Sequence, residues 1–393
     1  METTAKRVAK NTLWLFSQAI VGRLLSFILI IFLARKLGDI NFGKFSFANA
    51  FVQIFIIIAD LGVSFLIIRE VARERESVDK YVSNGFFIKV ILSLLTFGIM
   101  FIFANILKCP SDTKIIIYLI GLCNILESLG NLFGSIFNAF EKMKYLFLTE
   151  IIEKVFLVLL SFIFLYAGYG LITVAFLYFL SGVLYLILNI ILLLRNIGKW
   201  SFRLNIGFAL DLFRKSLSFA LGGLLLMFYY YIDAVMLGKM KGEQVVGWYN
   251  ASYQLCIALG IISSAFLNAV FPVMSRLFKA SIDSLRNVYE KCFKYLLALG
   301  VPISIGGVIL GKRIIFLFYG NSYLNSVLPF QLIVSVIAFS YINSLLAYFL
   351  TSVDRVNDKN IIFAISTFIN VALNFALIPR YSYAGAAIAT VAS

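Results

Sequence analysis

Residues 24–33 read LLSFILIIFL, and residues 190–194 read IILLL. Neither run alternates apolar with polar residues. The strands of a membrane β-barrel do alternate, in segments of about ten residues. A continuous apolar run is instead a helix in lipid, where about 20 residues cross a ~30 Å hydrocarbon layer. Similar runs recur along all 393 residues. Spans are expected near 12–34, 45–68, 84–107, 114–139, 145–167, 171–194, 216–238, 248–274, 292–318, 324–351 and 359–379, with a twelfth starting near Tyr383.

Composition agrees. The chain is 62% hydrophobic and 13% charged, with a mean hydropathy of +0.97. Soluble domains carry about 45–50% apolar and about 25% charged residues. The formal net charge of +15 would suggest nucleic acid in a soluble protein. Here the Lys and Arg sit between apolar runs, where they set orientation and meet anionic lipid, and no nucleic-acid partner is expected. The N-terminus and the even-numbered connections carry twenty-one Lys and Arg, and the odd-numbered connections carry ten. That bias places the N-terminus in the cytoplasm and the chain in the cell membrane. The basic start is no signal peptide, because its apolar run is too long, no cleavage pattern follows, and further spans come after it.

Several function classes drop out. There is no His, so the commonest general base and metal ligand is missing. Cys109, Cys123, Cys256 and Cys292 are scattered and read as packing residues. No metal or other cofactor is expected. The longest connection, 195–215, is about twenty residues, too short for a catalytic domain.

The sequence repeats. LGDINFGKFSFANA (37–50) falls on KGEQVVGWYNASYQ (241–254), so that Gly38 meets Gly242, Asp39 meets Glu243 and Gly43 meets Gly247. FEKM (140–143) falls on VDRV (353–356), and Gly170 on Gly385. Each half holds six spans, an even number, so both enter the membrane in one orientation. Two six-helix lobes, 1–200 and 201–393, are expected, related by a pseudo-two-fold axis along the membrane normal. Counted against the first half, the twelfth span stops some sixteen residues short. The second lobe is therefore expected to be incomplete at its last helix.

Polar side chains inside spans are costly and face other helices or wet cavities. The fourth span carries Asn124, Glu127, Ser128, Asn131, Ser135 and Asn138 on one stripe about 100° wide. Interhelical hydrogen bonding could account for part of it. A carboxylate among five polar groups points further, to a cavity lining that binds substrate. In the tenth span Ser340, Ser344 and Thr351 hold equivalent positions, joined by Asn343. Arg23 lies mid-span, too deep to reach either surface. It reads as a buried partner for Glu127 or Asp60, as a fixed cation for an anionic substrate group, or as both. Asp60 and Asp233 lie toward span ends, as solvated carboxylates or as ion-coupling groups. Glu150 and Lys154 read as a local pair, Lys89 as a lysine reaching the cytoplasmic surface, and Tyr229–Tyr231 as an interfacial belt or a sugar-facing wall.

With those residues placed, a resemblance appears. IIFLARKLGDINFGKFS (30–46), ADLGVS (59–64), REVAR (69–73), YIDAVMLG (231–238), VGWYNAS (246–252) and YAGAAIAT (383–390) stand in the order found in one transporter branch. The chain resembles the polysaccharide transporters of the multidrug/oligosaccharidyl-lipid/polysaccharide exporter superfamily. The resemblance implies a Wzx-type flippase: two six-helix lobes around a cavity, moving polyprenyl-diphosphate-linked oligosaccharides to the outer leaflet. It puts Arg23 where a first-span cation could hold the diphosphate, and matches Asp233 to a seventh-span aspartate. Its partners would be the lipid-linked oligosaccharide, membrane lipids and glycan-assembly proteins. The physical need is plain, since an unpaired charge in hydrocarbon costs many kcal/mol. Rival readings are a cation-coupled drug or metabolite antiporter of the same superfamily, a membrane glycosyltransferase or ligase, and a scaffold without transport. A glycosyltransferase lacks support, because there is no DxD motif, no His and no large loop.

Overall fold

A computed structural model describes residues 4–198 and 203–393. The expected boundary between the halves, at 200/201, lies outside the described residues. The described residues fold into helices α1 (Thr4–Ile56), α2 (Val63–Arg73), α3 (Val78–Ile106), α4 (Ser111–Ala139), α5 (Met143–Tyr166), α6 (Leu171–Asn196), α7 (Ile206–Lys241), α8 (Glu243–Ala280), α9 (Ile282–Tyr319), α10 (Val327–Ser335), α11 (Ile337–Ser352) and α12 (Val356–Ala392). Among them, eight are long and apolar enough to cross a membrane, or nine with the bent pair α10 and α11. The helical membrane architecture is the expected one. The twelve-span count remains the reading of the sequence.

Breaks fall at particular residues. α1 turns at Gly38, whose φ of 74° is open to glycine and costly to other residues. α12 turns at Ser382 with a φ of 53°. The expected second span, 45–68, is not one helix. α1 gives way to a 3₁₀ turn at Ile57–Ala59, Leu61 and Gly62 take φ values of 40° and 81°, and α2 restarts at Val63. The expected tenth span bends by 47° between α10 and α11. The Ala338 N–H freed near that bend donates to Ser304 Oγ of α9 at 3.3 Å.

Two compact units emerge. The first holds residues 1–32 and 48–227. Within it, small residues let helices close on each other, as expected between membrane helices. Gly130 of α4 abuts the Tyr185 ring of α6, and Gly182 of α6 abuts the Cys123 backbone of α4. A core of Leu66, Ile67, Leu132, Phe133 and Ile136 ties α2 to α4 and takes in Ala209 and Leu212 of α7.

The second unit holds residues 33–47 and 228–393. Its contacts bring the sequence repeat together. A Cβ at Gly43 would lie 1.8 Å from the Glu243 carbonyl oxygen, and one at Gly247 would lie 2.3 Å from the Asp39 carbonyl oxygen. The repeat pairs Gly43 with Gly247 and Asp39 with Glu243, so the contact is reciprocal. Asp39 accepts hydrogen bonds from Gln244 Nε2 (2.8 Å) and Trp248 Nε1 (2.9 Å). Arg35 donates to the Phe318 carbonyl at 2.7 Å and to that of Leu317, capping the C-terminus of α9.

Backbone torsions carry the repeat further than the residue types do. Gly38 and Gly242 share φ of 74° and 95° with ψ of 173° and 167°. Glu141 and Asp354 share φ of 56° and 58°. Lys108 (49°) and Gly320 (86°), and Gly168 (88°) and Ser382 (53°), follow in the same order at nearly the same spacing.

Candidate functional site

A cavity of about 510 Å³ lies in the first unit. That is within the 300–1,000 Å³ usual for ligand pockets. Asn124, Glu127, Ser128, Asn131, Ser135 and Asn138 of α4 all line it. The whole polar stripe of the fourth span therefore faces one space. Gln18 of α1, Glu150 of α5 and Tyr185 of α6 complete the wall, with Asp60 and Ser64 at the break before α2 and Lys89 of α3.

The stripe works through side-chain amides. Asn131 accepts from Tyr185 OH at 2.8 Å. Asn124 accepts from Gln53 Nε2 at 3.1 Å and donates to the Ile120 carbonyl. Glu127 accepts from the Cys123 thiol at 3.5 Å. Behind it, Lys154 pairs with the buried Glu153 at 3.1 Å and acts electrostatically on Glu127 as well. The expected Glu150–Lys154 pair is thus corrected, since Lys154 takes Glu153 and Glu150 accepts from Gln18 Nε2. A helix places residues i and i+4 close, but Glu150 turns toward α1 instead.

Lys89 also departs from expectation. It is fully buried and does not reach the surface. Its ammonium lies 2.6 Å from Asp60 Oδ1 and donates to Ser64 Oγ at 3.1 Å and to the Ser128 carbonyl. Asp60 also accepts from Ser64 Oγ at 2.6 Å. The break at residues 57–62 turns Asp60 toward Lys89. Irregular backbone beside a cavity is the setting in which membrane proteins tolerate such breaks. The cation beside Asp60 is therefore Lys89, where the sequence offered Arg23. Arg23 is exposed on α1 and is not part of the cavity wall. It follows Gly22, against which Glu150 Oε1 packs.

The second unit holds the other two candidates. Asn343 is exposed on α11. Nearby, Ser340, Ser344 and Thr351 donate to carbonyls of their own helix, at Val336, Ser340 and Ala347. Asp233 of α7 is 4% exposed. It accepts from Tyr249 OH (2.8 Å), Thr390 Oγ1 (2.6 Å) and Asn374 Nδ2 (2.6 Å). Asn370 Oδ1 accepts from the same Asn374 amide at 3.0 Å. Among the described residues Asp233 has neutral donors and no ion pair. Asn374 Oδ1 is buried without a hydrogen-bond partner.

Sequence reasoning missed Gln18, Ser64, Lys89 and Tyr185 as cavity residues, and Tyr249, Asn370, Asn374 and Thr390 around Asp233. Asn370 and Asn374, spaced i, i+4 in an apolar helix, were the available signal.

The fold is that of a membrane transporter. It matches an inward-facing multidrug resistance transporter of the MATE family, in the MOP superfamily, with a TM-score of 0.77 at 14% identity, over 94% of this chain and 91% of that one. It matches the lipid II flippase MurJ in an inward closed conformation with a TM-score of 0.74 at 15% identity, over 98% of this chain and 84% of that one. The sequence then narrows the class. Residues 8–278 match the polysaccharide biosynthesis protein family, and the chain belongs to that family. Residues 219–376 also match the MatE family. A putative O-antigen transporter of Shigella flexneri is 26% identical over 339 residues, 80% of this chain and 78% of that protein.

Proposed function

We propose that the protein is a flippase that carries polyprenyl-diphosphate-linked oligosaccharide from the inner to the outer leaflet by alternating access. The observation that carries this is the cavity. A chain of the polysaccharide biosynthesis family puts six polar α4 residues into one space of about 510 Å³. A sugar head needs such a shelter, because each unpaired polar group costs roughly 2–7 kcal/mol in an apolar medium. The prenyl tail stays in lipid. Asn124, Glu127, Asn131 and Asn138 contact the head, and Asn343 is a further substrate-binding residue. Arg23, next to the glycine that abuts Glu150, takes the diphosphate, for which a guanidinium is well shaped. The halves act as two six-helix lobes with the N-terminus in the cytoplasm, and glycan-assembly proteins supply and remove the substrate.

Protein motion alone gives no net direction, so an ion gradient or removal of product must supply it. Asp233 is the coupling group in this reading. Its carboxylate, two hydroxyls and two amides can turn oxygen lone pairs toward a proton or a monovalent cation. Asp60 has its charge balanced by Lys89, so coupling there requires that pair to open.

A cation-coupled antiporter is the second reading, favoured by the carboxylates of the cavity and the MatE match. Native mass spectrometry of protein purified gently from its own membranes separates the two. A co-purifying polyprenyl-diphosphate sugar, lost in Arg23→Ala, supports the flippase. Bulk phospholipid alone, unchanged by the substitution, overturns it.

A further inference from the structure

We infer that the first-unit cavity reads the hydroxyls of an uncharged sugar and rejects acidic sugars. The inference rests on the flippase reading and names what enters this cavity.

Charge comes first. Among the described residues, Asp60, Glu127 and Glu150 line the cavity, and Lys89 is its one lysine or arginine. That ammonium is already engaged, 2.6 Å from Asp60 and bonded to Ser64 and Ser128. Glu153 and Lys154, paired behind Glu127, add one charge of each sign. Counted by formal charge, a ligand therefore meets a net negative wall. Adding Arg23, on α1 beside the glycine that abuts Glu150, leaves the sum negative. A diphosphate or a uronic acid would bring a like charge against that wall, where the two repel.

Chemistry comes second. An ionised carboxylate only accepts hydrogen bonds and can take two hydroxyls at once. An asparagine amide both accepts and donates. The α4 stripe sets one carboxylate, Glu127, among three asparagines, Asn124, Asn131 and Asn138, facing one space. Sugar hydroxyls donate and accept in the same way. Gln18 offers a buried Oε1 without a partner, an acceptor open to one more hydroxyl. Tyr185 lines the same space, its hydroxyl donating to Asn131. The size decides against a bare cation as the occupant, because about 510 Å³ holds a sugar unit and far exceeds the cage of an ion. The head thus divides in two: the sugar enters this cavity and the diphosphate stays outside it.

The test uses the full chain in nanodiscs and three probes at equal concentration, read by native mass spectrometry. The probes are undecaprenyl diphosphate, the same carrier linked to N-acetylglucosamine, and the same carrier linked to glucuronic acid. The N-acetylglucosamine lipid is expected to be retained at least about tenfold over the glucuronic acid lipid. Glu127→Gln with Glu150→Gln, which keep the side-chain volumes, should bring the two within about threefold. Should that variant fold poorly, Asn131→Asp keeps an acceptor for Tyr185 and should widen the gap. Equal retention of both glycolipids, with the bare carrier also retained, overturns the inference and leaves the flippase reading standing. Preference for the acidic lipid does the same. If no carrier lipid is retained at all, both readings fall.

Discussion

Lys89 shows what a single charge demands inside a membrane helix. It is fully buried, and its partner Asp60 holds it at 2.6 Å. Removing one member of a buried pair leaves the other uncompensated, at a cost of about 3–5 kcal/mol, whereas removing both can be nearly neutral. Asp60 keeps partial exposure, so the lower end of that range applies. Lys89→Met should lower the thermal unfolding midpoint in detergent more than Lys89→Met combined with Asp60→Asn. A double variant as unstable as the single would mean that the pair is not the reason. Asp233 invites a different measurement. If its neutral shell takes sodium, sodium chloride should raise the unfolding midpoint above that in potassium chloride. At tenfold over the dissociation constant the gain is about 1.4 kcal/mol. Asp233→Asn should remove the difference while still accepting bonds from Tyr249 and Thr390.

At the scale of elements, two glycines make a paired prediction. A Cβ at Gly43 meets a backbone oxygen at 1.8 Å, and one at Gly98 in α3 meets nothing within 4 Å. Gly43→Ala must push α1 and α8 apart locally, and overpacking of this kind costs about 1–3 kcal/mol. Gly98→Ala only restricts the unfolded chain and should gain about 0.5–1 kcal/mol. Unfolding midpoints of the two variants should move in opposite directions. The same scale shows what the sequence made legible. Apolar runs located the helices, because hydropathy is summed over a whole span. The break at 57–62 escaped, because Ile57, Ile58 and Ala59 are as apolar in a broken helix as in a straight one. Asp60, Leu61 and Gly62 were the local cue. The cavity stripe on α4 was legible because its period matches a helix. The Asp60–Lys89 pair was not, since it joins residues 29 positions apart across two elements.

For the whole molecule, orientation is open to direct labelling. All four native cysteines are buried, so background reaction with a maleimide should be low. Tyr169, in the turn between α5 and α6, is 54% exposed. If the N-terminus is cytoplasmic, as proposed, Tyr169 faces outward and Lys10 faces the cytoplasm. In intact cells an impermeant maleimide should label Tyr169→Cys and spare Lys10→Cys until the membrane is opened. The reverse pattern would invert the topology and every leaflet assignment that depends on it. The Lys and Arg counts bear on such parity because charge bias acts on whole connections. The hydrogen-bond partners of Asp233 are not readable this way, since they need α7, α8 and α12 to meet in space.

The paired left-handed turns have a historical meaning. Four positions in the first half have a positive φ, as do their counterparts in the second, yet only Gly38 and Gly242 keep the residue. Lysine answers glycine, glutamate answers aspartate, and glycine answers serine. Shape has outlasted side chain, as expected of two copies of one ancestral stretch whose folds constrain them more than their chemistry does. The copies differ along the stripe that lines the cavity in the first half. Glu127 and Asn131 in one are Ser340 and Ser344 in the other, and those hydroxyls now serve their own helix. The same frame therefore carries different polar chemistry in its two halves.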